Sequence, residues 1–499
     1  MKRRRILVVL AALVLALVGV RGAAQQAQRA ADPILEADRQ IMEEIDKNNE
    51  VMTNLEYLTD MIGPRVTGTK QMDQASRWTA QAFQKYGLAS PHLEPWTIAH
   101  AWYRGAAAGR IVGPAEHPLW LASAGWSPST SGKVRGPVVY VSARRAEDLD
   151  QYKGKLKGAI VITAEPAALP AAYEVPRSPV LSPFGPPAGP AAQQFGPAFQ
   201  QFSRARDAFF KSEGVAAVLR DSVKEHGLIN MSGIGGRDYI IGALPTAFVS
   251  SEDYRLIWRL LQRGPVEVEI ELKNSFSEKP VEVYNTVAEI PGVEKPDEVV
   301  MIGAHLDSWD LGTGATDDGT GVAAVLEAAR ALQKLNLKPK RTIRFVLFSG
   351  EEQGLVGSRM YVEAHRNELS KFSAILVHDT GTGRVLSIGV QGNYAVREVL
   401  DRVVAPLRSV GMLEPSLRST RGTDHASFAD AGVPGFYCIQ DPAEYRKTHH
   451  TQSDTFDKVW KDDLVQGAKV LAVWAYNVAQ LPELLPRQAA RTQQVAGQE

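Results

Sequence analysis

The sequence predicts an α/β protein: a mainly parallel, mixed sheet flanked by helices, with a smaller β-rich domain inserted into it. Three observations predict this class. From residue 283 to residue 481, strand-like apolar runs alternate with stretches of helical apolar periodicity, the pattern of a sheet covered on both faces. Residues 113–275 interrupt that alternation with many short strand-like runs and few helices. Finally, the apolar run 299–302 leads into a long polar loop, 304–321, and then into a helical pattern over 322–335. That order is strand, loop, helix, and open α/β sheets place their chemistry in loops at the carboxyl ends of strands.

Size and charge set the outer limits. At 499 residues the chain is too long for one ordinary domain. We divide it into a signal peptide (1–24), a first part of the main domain (32–112), the insertion (113–275), a second part (276–485) and a disordered tail (486–499). Lys+Arg and Asp+Glu are balanced at 56 each. No whole-chain field therefore favours nucleic acid or a membrane surface as partner.

Taken in order, residues 2–5 are basic, 6–20 are apolar and 22–24 are small. This is a secretory signal peptide, because the apolar run is shorter than the ~20 residues that a spanning helix needs. It predicts export to the periplasm or the extracellular space, without a stable membrane anchor. Residues 32–49 form a charged helical stretch, 63–69 (GPRVTGT) are turn chemistry, and 71–86 have helical spacing that ends at Gly87. Strands are expected at 92–98 and 103–112. Inside the insertion they are expected at 136–141, 158–163, 214–219, 246–250 and 266–273, with helices at 205–213 and 252–263. Residues 169–200, rich in Pro, Ala and Gly, read as an extended loop. Beyond it, strands are expected at 342–349, 374–377 and 435–439, and helices at 357–365, 394–409 and 464–481. The single cysteine, Cys438, lies in one of these apolar runs and reads as a small core residue.

The loop 304–321 carries one imidazole, His305, and four carboxylates: Asp307, Asp310, Asp317 and Asp318. So many charges beside a buried strand need positive compensation, and a metal ion is the simplest. Ligand-type residues recur at the other strand ends: Glu351-Glu352 after one, Asp379 after a second, His450 in the loop after a third. Several strands each delivering a carboxylate or imidazole to one sheet edge are not ordinary loop polarity. Nitrogen and oxygen donors without thiolate suit a hydrolytic zinc site, with cobalt or manganese as alternatives. There is no His-Glu-x-x-His helix and no Gly-x-Ser-x-Gly elbow, so those two hydrolase mechanisms lack their core residues.

On these motifs the chain resembles the secreted co-catalytic di-zinc exopeptidases, the family of bacterial leucyl aminopeptidases and plasma glutamate carboxypeptidase. The matching residues are His305-Leu306-Asp307-Ser308, Asp317-Asp318 with Gly321, Glu351-Glu352, Asp379, and His450 with Asp454-Thr455. The resemblance spans roughly 283–459, and the insertion resembles a protease-associated domain. It implies two zinc ions bridged by Asp317. One ion is completed by His305 and Asp379, the other by Glu352 and His450, with His449 as the rival for that place. Glu351 would act as general base, and Asp307 would sit behind His305 and hold its tautomer. Asp424-His425 resembles a family motif near the substrate pocket, and Arg421 and Tyr445 are candidate substrate contacts. The implied function is an exopeptidase for dipeptides or short peptides, of carboxypeptidase or dipeptidase type. An aminopeptidase is the alternative within the family, and a non-catalytic receptor-like protein on the same fold is the alternative outside it. Nothing in the chain opposes a homodimer.

Overall fold

A computed structural model describes residues 33–169 and 197–488. The expected signal peptide lies outside the described residues, as do most of the loop 169–200 and most of the tail from 486. Among the described residues, no helix is long and apolar enough to cross a membrane.

Two sheets organise the chain. The first has seven strands in the order Ala89–Ile98, Val281–Ile290, Arg341–Phe348, Lys295–His305, Phe372–Val377, Gly435–Gln440 and Val385–Gly389. It is mixed. Its central neighbours run parallel, and the strands at both edges pair antiparallel. Alternation along the central strands explains why they lie between two layers. Val300, Ile302 and Ala304 join one apolar cluster, whereas Val299 and Met301 join another. Phe345 and Leu347 likewise face the first cluster, and Val346 and Phe348 the second. A strand buried on both faces has to be apolar throughout.

Helices Thr320–Lys334, Lys461–Gln480, Lys70–Tyr86 and Pro33–Asn48 cover the first face. Helices Val356–Ala364 and His425–Asp430 pack on the second. The helix Lys70–Tyr86 ends where the sequence says. Thr69 caps its start by accepting from the Met72 amide at 3.3 Å, and Gly87 at φ +81° closes it. The stretch expected as one helix over 394–409 is an α-helix only over Tyr394–Val404. It tightens into a 3-10 turn, Ala405–Val410, with a proline at its start. Cys438 is buried among the apolar residues of its strand.

The parallel register decides where the loops emerge. His305 lies opposite Phe348, Gly303 opposite Val377, and Val377 opposite Tyr437. Four adjacent strands thus end at one level, and the loops bearing His305, Glu351-Glu352, Asp379 and His450 leave from the same edge.

The second sheet has eight strands in the order His117–Pro118, Trp102–Gly113, Glu267–Phe276, Val134–Tyr140, Ile160–Ile162, Ala217–Asp221, Thr246–Val249 and Leu121–Ser123. It has an apolar cluster of its own, built on Ile160, Leu219, Val249 and Ile270. The strand Trp102–Gly113, which the sequence placed in the first part of the main domain, pairs here with Glu267–Phe276.

One surface network ties the helix Val356–Ala364 to the edge strand Ala89–Ile98. His365 Nε2 lies 3.1 Å from both Glu94 carboxylate oxygens, and its ring stacks on Tyr361 at 4.2 Å. Burial opposes charge on His365, but the Glu94 carboxylate prevails and its pKa is raised. Burial likewise opposes charge on Glu94, whose pKa His365 and His92 nevertheless lower. The sign follows for each partner. The His365 contribution is complete below its unfolded value of about 6.5 and fades as pH rises through its folded value. The Glu94 contribution is complete above about 4.3 and fades as pH falls. His365→Gln should therefore lower the unfolding midpoint more at pH 6 than at pH 8.5, by less than about 1 kcal/mol. Equal losses at the two pH values, read from thermal melts, would refute the pairing.

Candidate active site

The shared edge gathers the five residues picked out as ligands. His305 ends its strand and is buried. Its Nδ1 faces the Asp307 carbonyl oxygen at 2.9 Å. Donation there leaves Nε2 as the lone pair, 3.2 Å from Asp317 Oδ1 and 3.5 Å from Asp379 Oδ1. On the other side, His450 Nε2 lies 3.4 Å from Asp317 Oδ2 and 2.8 Å from Glu352 Oε2. The Asp317 carboxylate thus turns one oxygen to each imidazole. Ligand atoms on one tetrahedral zinc stand about 3.3 Å apart when bond lengths are about 2.0–2.2 Å, so these separations suit such an ion on each side.

The donor atoms are also left open by the protein. Asp317 Oδ2 and both Glu352 carboxylate oxygens are buried and take part in no hydrogen bond. The 2.8 Å approach of His450 to Glu352 lacks hydrogen-bond geometry, as expected where lone pairs converge on one point. Charge tells the same story. Burial and surrounding carboxylates push Glu352 and Glu351 well above the ordinary glutamate range, against the pull of His305. Burial also opposes charge on His305, yet Asp379 and Asp317 raise its pKa well above normal. A cavity that favours protons on both its acids and its imidazole carries excess negative charge. Cations held by these donors would relieve it.

Neighbouring carboxylates have other partners. Asp318 accepts from the amides of His305 (3.2 Å) and Gly321 (3.0 Å). Asp310 forms a two-bond pair with Arg104 of the second sheet, at 2.9 and 2.7 Å. Asp454 receives the Thr316 amide at 2.6 Å and its hydroxyl at 2.8 Å, which fixes the turn just before Asp317. Asp307 does not bond the His305 ring through its carboxylate, which stands 3.7 Å from Nδ1. The carboxylate instead receives the Thr67 hydroxyl at 2.9 Å and the Glu351 and Glu352 amides at 3.1 and 3.4 Å. It therefore ties the Glu351-Glu352 turn to the His305 loop. His449 stacks on the His450 ring at 3.8 Å, but its Nε2 is 3.8 Å from Asp317 and its side chain is 40% exposed, against 24% for His450.

Glu351 differs from Glu352. Its carboxylate makes no hydrogen bond or ion pair among the described residues, although His305 is near enough to lower its pKa. Asp424 is fully buried with both oxygens unpartnered, and burial pushes it up to about 7. Its neighbour His425 stacks on Tyr437 at 5.2 Å. The Tyr445 ring packs tilted against His449 at 4.9 Å, and Arg421 pairs with Asp430 at 2.5 Å.

Two residues essential to this geometry were not picked out from sequence. Arg65, in the segment read as a turn, is fully buried beneath the loop between His305 and Asp317. It donates to the carbonyls of Leu306 (2.7 Å), Thr313 (2.8 Å), Gly314 (2.9 Å) and Gly63 (3.2 Å). Gly314, at φ +64°, leaves room for Ser308 and for the guanidinium: a Cβ there would stand 2.2 Å from Ser308 Cβ and 2.8 Å from Arg65 Nη2. Lys224 reaches from the second sheet's loops to the carbonyls of Arg446 and His449. An arginine among turn residues was the only signal for Arg65, and the sequence carried none for Lys224.

Comparison with known proteins gives the family. The sequence profile of Peptidase family M28 matches residues 285–475. Carboxypeptidase Q of Rattus norvegicus is 32% identical over 440 residues, which cover 88% of this chain and 87% of that protein. The chain belongs to peptidase family M28. It is a metallo-exopeptidase. A crystal structure of an M28 peptidase precursor from Shewanella amazonensis superposes with a TM-score of 0.75 at 28% identity, covering 91% of this chain and 99% of that one. A zinc aminopeptidase from Bacillus subtilis shares the fold, with a TM-score of 0.61 at 20% identity over 86% of this chain and 94% of that one.

Proposed function

We propose that this M28 exopeptidase uses two zinc ions to hydrolyse dipeptides and short peptides, in the manner of a carboxypeptidase or dipeptidase. The observation that carries the metal assignment is the Asp317 carboxylate, with one oxygen toward His305 and the other toward His450. On this reading Asp317, His305 and Asp379 would hold one ion, and Asp317, Glu352 and His450 would hold the other. When bound, the zinc ions would polarise the scissile carbonyl and lower the pKa of water from about 15.7 to about 7. The chain's own part is positioning and proton transfer. The Asp307 carbonyl keeps His305 in the tautomer that offers Nε2. The Asp307 carboxylate holds the Glu351 amide at 3.1 Å and the Glu352 amide at 3.4 Å, and so fixes the turn that carries both glutamates. Glu351, left free of ligand duty, takes a proton from the attacking water and returns it to the leaving amine.

The carboxypeptidase or dipeptidase preference rests on likeness to carboxypeptidase Q across nearly the whole chain. The basic and apolar start of the sequence supports export through a signal peptide.

Chelation tests the metal. Dialysis against a strong chelator should abolish dipeptide hydrolysis, and added zinc should restore it as binding approaches two ions per chain. Full activity in the chelated protein would end the proposal. Profiling free dipeptides against peptides blocked at either end tests the specificity. Cleavage of carboxyl-blocked peptides, with amino-blocked ones refused, would assign an aminopeptidase instead.

A further inference from the structure

The loop that carries His450 is held from two sides: Thr316 of the main domain bonds Thr448 and Asp454, and a segment of the second sheet bonds the histidines' own backbone. The His450 carbonyl accepts from the Met231 amide at 2.8 Å. The preceding carbonyl, of His449, accepts from Lys224 Nζ at 3.0 Å, and the same ammonium donates to the Arg446 carbonyl at 2.9 Å. Gln452 receives the Ile229 amide at 2.8 Å and donates to the Gly227 carbonyl at 3.1 Å. Glu225 pairs with Arg446 at 2.9 Å. All of these second-sheet partners come from residues 224–231, which lie between the strands Ala217–Asp221 and Thr246–Val249. Both histidine carbonyls are therefore fixed from outside the seven-stranded sheet.

The backbone on each side needs that support. His450 sits at φ +55°, and Val223 and His226 at +52° and +62°, a region that non-glycine residues rarely adopt. Such conformations persist where the surroundings over-determine them. The segment has its own anchors: the Lys224 amide donates to Ser251 Oγ at 3.2 Å, and the Gly227 amide to the Glu252 carboxylate at 3.2 Å. The Leu311 amide approaches Met231 Sδ at 3.0 Å, so the same segment also touches the His305–Asp317 loop.

We propose that residues 224–231 are a latch that aims the His450 ring, with Lys224 as its principal positioning residue, and that this latch sets the affinity of the metal position formed by Glu352 and His450. The inference rests on the assignment of His450 to zinc. It gives the second sheet a role in the chemistry, through one ion and not the other. Backbone groups that orient a ligand from behind typically change metal affinity by about 10- to 100-fold when removed.

The test is a zinc titration on the full-length protein, read three ways: bound zinc per chain across graded zinc buffers, the visible spectrum of the cobalt-substituted protein, and the melting temperature of the metal-free protein. Lys224→Met should weaken one ion at least about 10-fold and leave the other at wild-type affinity. It should alter the cobalt spectrum and leave the metal-free melting temperature near wild type. Lys224→Arg, which can reach the same carbonyls, should restore both ions. Gln452→Ala offers a milder break of the same latch and should weaken the same ion. Two wild-type affinities in both Lys224→Met and Gln452→Ala would overturn the latch, as would equal weakening of both ions together with a lowered metal-free melting temperature. His450→Ala separates the two levels. If it loses one ion while Lys224→Met loses none, the latch alone is wrong. If it keeps both, the zinc assignment fails and the latch with it.

Discussion

Glu351→Gln is expected to keep its zinc and to lose roughly 10²- to 10⁴-fold in kcat, the usual worth of a positioned general base. The exchange is isosteric and leaves the backbone undisturbed, because the anchor of this turn is the Glu351 amide on Asp307 Oδ1, not the side chain. Among the described residues no imidazole forms an ion pair with the Glu351 carboxylate, whereas His450 Nε2 stands 2.8 Å from Glu352. Glu352→Gln should therefore behave oppositely and shed one ion, because an amide oxygen is a poorer ligand than a carboxylate. The pair of measurements is kcat on a dipeptide and zinc content by elemental analysis. Loss of zinc in Glu351→Gln, in parallel with loss of activity, would put Glu351 among the ligands and leave the base unassigned.

The asymmetry between adjacent glutamates shows where sequence reading stops. The residue types at the strand ends were legible, because a metal centre needs lone pairs and a parallel sheet sends its loops to one edge. Which carboxylates serve was harder. The loop 304–321 offers four, of which Asp310 is spent on Arg104, Asp318 on two backbone amides, and Asp307 on Thr67 and the Glu351-Glu352 amides. Those partners lie from three to more than two hundred residues away, and no local pattern announces them. The same limit applies to the sheet. Central strands buried on both faces read clearly as apolar runs. The edge strand Val385–Gly389 escaped notice, and the side of the molecule on which Trp102–Gly113 would pair depended on a partner at Glu267–Phe276. The two cations that support the site were invisible for a related reason. Arg65 and Lys224 act on carbonyl oxygens, which every residue has.

Arg65→Met carries the largest expected loss of stability. Three of the carbonyls that Arg65 satisfies, those of Leu306, Thr313 and Gly314, belong to the loop between His305 and Asp317. Removing the guanidinium leaves buried acceptors without a donor, at about 1–3 kcal/mol for each one that water cannot reach. It also removes a positive charge from beneath Asp307, Asp317, Asp318 and Asp454. Burial pulls the Arg65 pKa down to about 10, and these carboxylates oppose that fall, so the group is still charged at neutral pH. The expected destabilisation is about 3–5 kcal/mol, the range for breaking a buried charge arrangement by deleting one side. Arg65→Lys should recover only part of it, because a single ammonium cannot span carbonyls that a planar fork reaches together. Urea melts of the metal-free and zinc-loaded proteins check the result. Wild-type midpoints for Arg65→Met would mean that the loop holds its shape without the guanidinium. The metal-free protein is the informative one. The carbonyls need their donor whether or not zinc is present, so Arg65→Met should lower its stability. Lys224 also serves two carbonyls, but it is only half-buried, so water can replace its ammonium there and the metal-free melt should stay near wild type. A buried cation and a half-buried one beside the same site would then be told apart by the state in which each loss is felt.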